Sequence, residues 1–357
     1  MRREHFQAIA PVCPVCRVVE QGTLDGVAHP LVIQHIYEEQ GPHIVQGVLQ
    51  CTNSRCLFEY PVIDGIPMIV PSIRQYVQNN LLGITMRPDL SPAIESMIGD
   101  CAGASGTFDI HRQHLSHYAS DHWADLDQAL SERDRHEAGG VLRLLDTGMG
   151  LLDAVPGGPV LDMGCSVGRT SFELAARTDG LVLGIDLNFS MLRVASEVLR
   201  NQRVSYARRR VGLVYDRRDY EVHMEGADRV DFWQCDVLAL PFSPHSFGLV
   251  TSVNLLDCLS APMNHLHSLA ELMSTAGRTI LATPFDWSPN ATPMEYWIGG
   301  HSQRADHRGA SDVCLRKWLP SVSLAALAEV PEVEWSVRLH ERSSVRYRSH
   351  MMILGPA

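Results

Sequence analysis

An α/β fold on a mostly parallel sheet, with a small cysteine-rich unit at the N-terminal end, is what this sequence predicts. Three observations lead there. From about residue 140 to 284, apolar strands alternate with amphipathic helices, the pattern of βαβ units. Within that stretch a buried strand runs into a glycine-bearing turn and then a helix, at VLDMGCSVGRT. The last stretch, 331–357, reads as two strands, EVEWSVRLH and VRYRSHMMIL, joined by a short polar turn, which adds an antiparallel C-terminal edge.

The elements of the core follow in order. Helix 140–154 leads in, then strand Pro159–Met163, helix 168–178 and strand Leu181–Asp186. Helix 189–201 carries Met191, Val194, Ala195 and Val198 on one apolar face. Strand Val230–Cys235 comes after a long polar connection, and strand Gly248–Val253, helix 263–275 and strand Thr279–Thr283 complete the parallel part. Three units are expected: 1–75, rich in β-formers; 76–139, a helical linker or lid; and 140–357, the α/β domain.

Composition narrows the function. A hydrophobic fraction of 45% with 20% charged residues is that of a globular chain with a real core. No stretch approaches the roughly 18 apolar residues of a membrane helix, and the N-terminus lacks the apolar run of a signal peptide, so a cytoplasmic protein is expected. The 30 Lys and Arg against 41 Asp and Glu give a net charge of −11, which argues against a broad nucleic-acid footprint. Arg203, Arg208, Arg209, Arg210, Arg217 and Arg218 form a local exception, read as a solvated helix end or loop in preference to a phosphate-binding patch.

The glycine turn points to a ligand. Gly164 and Gly168 sit where backbone must approach closely, beyond the carboxyl end of a parallel strand. The dinucleotide pattern G-x-G-x-x-G is not met, because Ser166 stands at its second glycine. Asp162, Asp186 and Asp236 fall at three consecutive strand ends, and Asp186 is placed to accept both hydroxyls of a ribose.

At the N-terminal end, Cys13/Cys16 and Cys51/Cys56 are two short-spaced pairs, enough thiolates for a closed tetrahedral zinc site that stabilises a small fold. Two further segments bear on a substrate. In 109–126, His111, His114, His117 and His122 lie near Tyr118 and Trp123; a metal site, a plain polar helix and a lid carrying Tyr118 and His122 all fit, and the lid is favoured. The segment 283–300, TPFDWSPNATPMEYWIGG, reads either as a pocket wall or as a surface insertion.

The acidic residue followed by G-x-x-x-G resembles the first motif of class I methyltransferases, whose sheet is Rossmann-like. The resemblance implies S-adenosylmethionine as cofactor, held by Asp162, Gly164, Cys165, Gly168, Asp186, Leu187, Asp236 and Val237, with Asn254 near its methionine part. YPVIDGIPMIV after the cysteine pairs resembles the end of small zinc-ribbon activators of methyltransferases, implying structural Zn²⁺ on Cys13, Cys16, Cys51 and Cys56. The segment 283–300, with GCSVGRTSFELA and NLLDCL, resembles mercaptohistidine N-methyltransferases of ovothiol-type biosynthesis. That likeness implies a small imidazole- or amino-acid-like acceptor lined by Asp257, Asp286, Trp287, Glu295 and Trp297. The zinc ribbon lies outside that pattern, and Cys258 stands where the family tends to carry a basic residue. Ribbon-bearing rRNA methyltransferases are the competing resemblance, disfavoured by the acidic charge; a scaffold that keeps the fold without activity is a weaker reading still.

Overall fold

A computed structural model describes residues 1–17 and 28–357. The N-terminal unit begins with helices α1 (Arg3–Ile9) and α2 (Pro14–Arg17). It continues as an antiparallel meander of strands β1 (Leu31–Gln40), β2 (His43–Cys51), β3 (Glu59–Ile63) and β4 (Ile66–Ile69). Helices α3 (Ile73–Thr85), α4 (Pro92–Ala102), α5 (Thr107–Trp123), α6 (Glu132–Glu137) and α7 (Gly140–Gly150) follow. The core then runs β5 (Val160–Met163), α8 (Arg169–Arg177), β6 (Val182–Asp186), α9 (Phe189–Asn201), a hairpin of β7 (Arg203–Val211) and β8 (Val214–Glu221), β9 (Val230–Cys235), β10 (Phe247–Val253), α10 (Pro262–Leu272), β11 (Met273–Thr283), α11 (Ser311–Trp318), β12 (Leu324–His340) and β13 (Ser343–Pro356).

One sheet of 11 strands, in the order β1-β2-β3-β4-β9-β6-β5-β10-β11-β13-β12, organises the chain. Its middle is parallel from β4 to β11, and β13 and β12 close the far edge antiparallel. The fold is therefore the expected mixed α/β, Rossmann-like sheet. The order reverses between β6 and β10 around β5, which puts a switch point at the carboxyl end of β5, where ligands bind in open α/β sheets.

The N-terminal unit does not stand apart. Met68 and Ile69 of β4 pair in parallel with Gln234 and Cys235 of β9, so the meander extends the central sheet. One apolar core joins Phe6, Cys13, Leu49 and Tyr60 to Leu161, Ile185 and Trp233. Burial of that size is worth about 25 cal/mol per Å² of apolar surface, so the two units stabilise each other.

Local differences from the sequence reading have physical causes. The arginine-rich connection is neither a helix end nor a loop but the hairpin β7–β8, in which Arg203, Arg208 and Arg209 pair across from Glu221, Asp216 and Tyr215. Helix 140–154 stops at Gly150, and helix 263–275 stops at Leu272, where Met273 already has extended backbone. Among the described residues no helix is long and apolar enough to cross a membrane.

Candidate functional site

The carboxyl ends of β5, β10 and β11 carry three non-glycine residues in the left-handed region: Ser166 (φ 54°), Asn254 (φ 54°) and Phe285 (φ 56°). Such backbone costs on the order of 1 kcal/mol each and persists where the surrounding structure imposes it, typically around ligands. Two cavities open beside these tips. One, of about 480 Å³, is lined by Tyr118, His122, Gly164, Ser166, Asp186, Asn254, Asp257, Asp286, Trp335 and Tyr347 among others. The other, of about 620 Å³, is lined by Tyr76, Asp186, Leu187, Asn188 and Asp236. Asp186 and Asn188 belong to both walls, so the two spaces meet at the end of β6.

The Asp186 carboxylate is fixed there by backbone. Its oxygens accept hydrogen bonds from the Ser166 N–H at 2.9 Å and the Asn188 N–H at 2.7 Å. Burial raises its carboxyl above the ordinary range, and the two N–H donors hold it back. The Tyr76 hydroxyl donates to the Leu187 carbonyl at 2.7 Å and accepts from the Phe189 N–H at 3.2 Å, seating α3 over this loop. Nothing in the sequence around Tyr76 signals that role; only the fold brings α3 to β6.

Several expected cofactor residues lie behind the wall. Asp162 is buried, and its carboxylate accepts from Thr170 Oγ1 at 2.6 Å, Ser171 Oγ at 2.7 Å and Thr251 Oγ1 at 2.6 Å. Three hydroxyls consume it, so it ties α8 and β10 to β5 and lines neither cavity. A Cβ on Gly168 (φ 87°) would stand 2.6 Å from Ala195 and 2.7 Å from Phe232, so this glycine serves helix-on-sheet packing. Cys165 and Val237 are core residues, with burial pushing the Cys165 thiol up. Gly164, Asp186, Leu187, Asp236 and Asn254 do line the cavities. Asn254 Oδ1 accepts from Ser349 Oγ at 2.7 Å, and Ser349 Oγ accepts from Trp335 Nε1 at 3.0 Å, so its side chain anchors β13.

The second half of the cleft comes from α5 and the C-terminal hairpin. His114, His117, Tyr118, Asp121 and His122 face the cavity at helical spacing. Trp123 Nε1 donates to the Val167 carbonyl at 3.1 Å, and Arg169 Nη1 donates to the His122 carbonyl at 3.1 Å, which clamps α5 to the glycine turn. Opposite, Trp335, Val337 and Leu339 of β12 and Val345 and Tyr347 of β13 alternate inward, while Glu334, Arg346 and Arg348 point out. Trp335 and Tyr347 are cross-strand partners with rings stacked at 5.0 Å and 22°. These hairpin residues were missed by sequence reasoning; the period-two alternation of EVEWSVRLH was their signal.

Among the other expected acceptor residues, Asp257 and Asp286 reach the cavity, and Asp257 Oδ2 accepts from the Asp286 N–H at 2.7 Å. Burial raises the Asp257 carboxyl, and the neighbouring Asp286 charge raises it further. Trp287, Glu295 and Trp297 do not line it. Trp287 and Trp297 stack on each other at 6.3 Å, with their N–H groups spent on Ser311 Oγ and the Thr292 carbonyl. Glu295 is exposed on the outer side of that segment.

Histidine chemistry here is that of a neutral ring. Burial lowers His122 to about 3, helped by the Arg169 charge, and lowers His117 to about 4. His122 Nδ1, His117 Nε2 and Ser166 Oγ are buried without a hydrogen-bond partner among the described residues, and all three residues line the cleft. Orphaned polar atoms on one wall suit a polar ligand that completes them. The acid at the β6 tip, a second acid at the β9 tip and the paired cavities fit an elongated nucleoside–amino-acid cofactor.

Residues 161–281 match the family described as methyltransferase domain. This stretch has the sequence of a methyltransferase domain. The domain is 24% identical over 131 residues to "Methyltransferase GfsG" of Streptomyces halstedii; that alignment covers 37% of this chain and 39% of the relative, about two-fifths of its length. The methyltransferase domain is also similar to the magnesium protoporphyrin IX methyltransferase of Synechocystis with bound SAH, at 19% identity, covering 70% of this chain and 99% of that one with a TM-score of 0.40. A further similar structure is phosphoethanolamine N-methyltransferase 2 of Haemonchus contortus with S-adenosyl-L-methionine, at 15% identity, 52% and 38% coverage and a TM-score of 0.35.

Away from the cleft, the Sγ atoms of Cys13, Cys16, Cys51 and Cys56 all lie within 4.8 Å of one another. Cys13 and Cys56 are 3.9 Å apart, and Cys16 and Cys51 3.7 Å. A tetrahedron with Zn–S arms of about 2.3 Å has edges of about 3.8 Å, so the donor set is compatible with a zinc ion. Asn53 donates its Nδ2 to Cys16 and its backbone N–H to Cys51, the outer support that thiolate ligands use. Among the described residues no such group forms from the histidines of α5: the His111 ring is hydrogen-bonded to Ser190 Oγ at 2.6 Å instead.

Proposed function

We propose that this protein methylates a small cationic or zwitterionic metabolite, imidazole- or amino-acid-like or thiol-containing, using S-adenosylmethionine, and that its cysteine group holds a structural zinc. The observation that carries the reading is the acceptor half of the cleft: two carboxylates, Asp257 and Asp286, and the stacked Trp335–Tyr347 pair line one cavity of about 480 Å³. That size is within the range of small-molecule sites, and carboxylates with aromatic faces suit a cation.

When bound, the cofactor supplies a methyl activated by a positive sulfur. The chain supplies position and dryness. Asp186 would accept the ribose hydroxyls, and Asp236 and Leu187, which line the same cavity, would flank the base. Tyr118, which lines the cleft and whose hydroxyl burial pushes up to about 12, remains a neutral donor. His122 Nδ1, neutral through the physiological range, accepts a hydrogen bond from an acceptor N–H and orients its lone pair. A protonated nitrogen has no free lone pair, so it must lose its proton before the methyl transfer; Asp286, exposed at the cavity rim, takes it and passes it to water. Most of the rate comes from holding the two partners in line.

An RNA acceptor is the second reading. Its basic patch is spent internally: Arg203 pairs with Asp219 at 2.5 Å, Arg208 with Asp134 at 3.1 Å, Arg218 with Asp127 at 2.6 Å, and Arg217 with Glu95. A screen for S-adenosylhomocysteine release over histidine, thiohistidine derivatives, polyamines and bulk RNA decides between them. Turnover on an imidazole or amine supports the proposal; turnover on RNA alone refutes it.

A further inference from the structure

We infer that the chain has a second small-molecule site, against the first part of α5, for a monoanionic amphiphile: one carboxylate-like head on an apolar body. The site is a cavity of about 620 Å³ between α5, α9, the segment 84–90 and the β7–β8 hairpin. It shares no lining residue with either cavity of the methyltransferase cleft. The two spaces meet different stretches of α5: Phe108, Arg112 and Leu115, spaced four and three apart, line this one in the first part of the helix, and Tyr118 and His122 line the cleft in its last part.

The lining is apolar at its base, with Ile84, Leu90, Phe108, Leu115 and Val194, and carries charge around it. Six arginines meet five carboxylates there. Four of those carboxylates have an arginine to themselves: Asp64 with Arg193, Asp89 with Arg87, Glu197 with Arg200 and Asp219 with Arg203. Glu95 is shared by Arg112 and Arg217. One positive charge is therefore left over, and it is located at that shared carboxylate.

Arg112 is where the shortage shows. Its side chain is 5% exposed, and its Nε and Nη1 are buried without a hydrogen-bond partner among the described residues. Glu95 Oε1 lies 3.2 Å from Nε but outside hydrogen-bond alignment. The guanidinium is sandwiched by rings, 3.9 Å from the Tyr215 centroid and 5.5 Å from that of Phe108. Arg217 Nε is unpartnered as well. Buried guanidinium N–H groups with no acceptor are costly, and a single anionic group entering beside Glu95 supplies what they lack. A polyphosphate would bring more negative charge than the one surplus cation balances. A neutral oil would leave the N–H groups unsatisfied. The combination selects one negative charge and an apolar tail.

The test uses the full chain saturated with S-adenosylhomocysteine, so that the methyltransferase cleft is filled. Decanoate and decanol are titrated in competition with the fluorescent sulfonate 1-anilinonaphthalene-8-sulfonate. The expected result is a single saturable site at which decanoate binds at least tenfold more tightly than decanol. Leu115→Trp and Leu90→Trp, which fill the cavity, each weaken decanoate at least tenfold and leave S-adenosylhomocysteine affinity unchanged. Arg112→Met brings decanoate down to the affinity of decanol; should that variant fail to fold, the two tryptophan variants and the acid–alcohol ratio still decide. Equal binding of decanoate and decanol to the unmodified chain overturns the inference. So does decanoate binding that neither tryptophan variant weakens, or that rises when S-adenosylhomocysteine is left out.

Discussion

The two halves of the cleft are built by different means. The cofactor half consists of strand tips: Asp186 and Asp236 end consecutive parallel strands, and backbone N–H groups of the adjoining turns hold Asp186 in place. The acceptor half is assembled from distant pieces, with α5 on one side and β12–β13 on the other, more than two hundred residues later. The first half is rigid because the sheet's own hydrogen bonds set it. The second depends on side-chain packing and on clamps such as Trp123 to Val167. Cofactor binding and acceptor turnover should therefore respond to mutation separately.

The sharpest break is at Asp186. If Asp186 holds the ribose as proposed, Asp186→Ala removes two charge-assisted hydrogen bonds together worth about 4 kcal/mol, and calorimetry with S-adenosylhomocysteine should show affinity falling about a thousandfold. A change under tenfold would mean that the β6 tip is not the ribose site.

The cysteine group is expected to support the sheet and not the acceptor wall, because the strands it closes run through β4 into β9. Cys51→Ser should abolish bound zinc in a metal assay and cost about 3 kcal/mol, roughly 4 °C in melting temperature. Full zinc occupancy in that variant, or an unchanged melting temperature, speaks against the site.

On the acceptor side, Trp335→Ala and Asp286→Ala should each lower turnover about tenfold while S-adenosylhomocysteine affinity stays within twofold. If affinity for the cofactor falls in step with turnover, the division of the cleft into halves is wrong.

The smallest effect is one of pH. His122 titrates near 6.5 when unfolded and is held at about 3 in the fold. Its depressed value gives stability that is present above the unfolded pKa and lost as pH falls toward the folded one. Between pH 6 and pH 5 the unmodified chain should lose about 1 kcal/mol of stability relative to His122→Asn, read from urea unfolding at the two pH values. Parallel curves for the two proteins would show that the ring is not buried in neutral form.

The strand tips proposed to hold the cofactor were legible because their evidence is local. A strand, a bend and an acid lie within a few residues of one another at Met163–Gly168 and at Ile185–Asn188, and period and glycine position mark them. Legibility had limits even there. Asp162 shares the strand-tip pattern yet faces three hydroxyls inside the fold, and Gly168 gives its space to Ala195 and Phe232. Trp287, Glu295 and Trp297 looked like pocket residues because aromatic and acidic side chains cluster there. In the fold the two indoles bond to Ser311 and Thr292 instead. The arginine hairpin read as a helix end or loop because its apolar alternation is short, Val204 and Tyr206, and is followed by a run of charged residues.

By itself the sequence determined the order of strands and helices, the acids at the strand ends and the two cysteine pairs, since each is set by spacing along the chain. Tertiary structure decided that the N-terminal meander joins the central sheet through β4, that Trp335 and Tyr347 line the same cleft as Asp257, and that a second cavity opens along α5. The reason is that periodicity fixes which face of an element is buried but not which distant element covers it. That choice is made by shape, charge and hydrogen bonding between parts of the chain that carry no trace of one another in their local sequence.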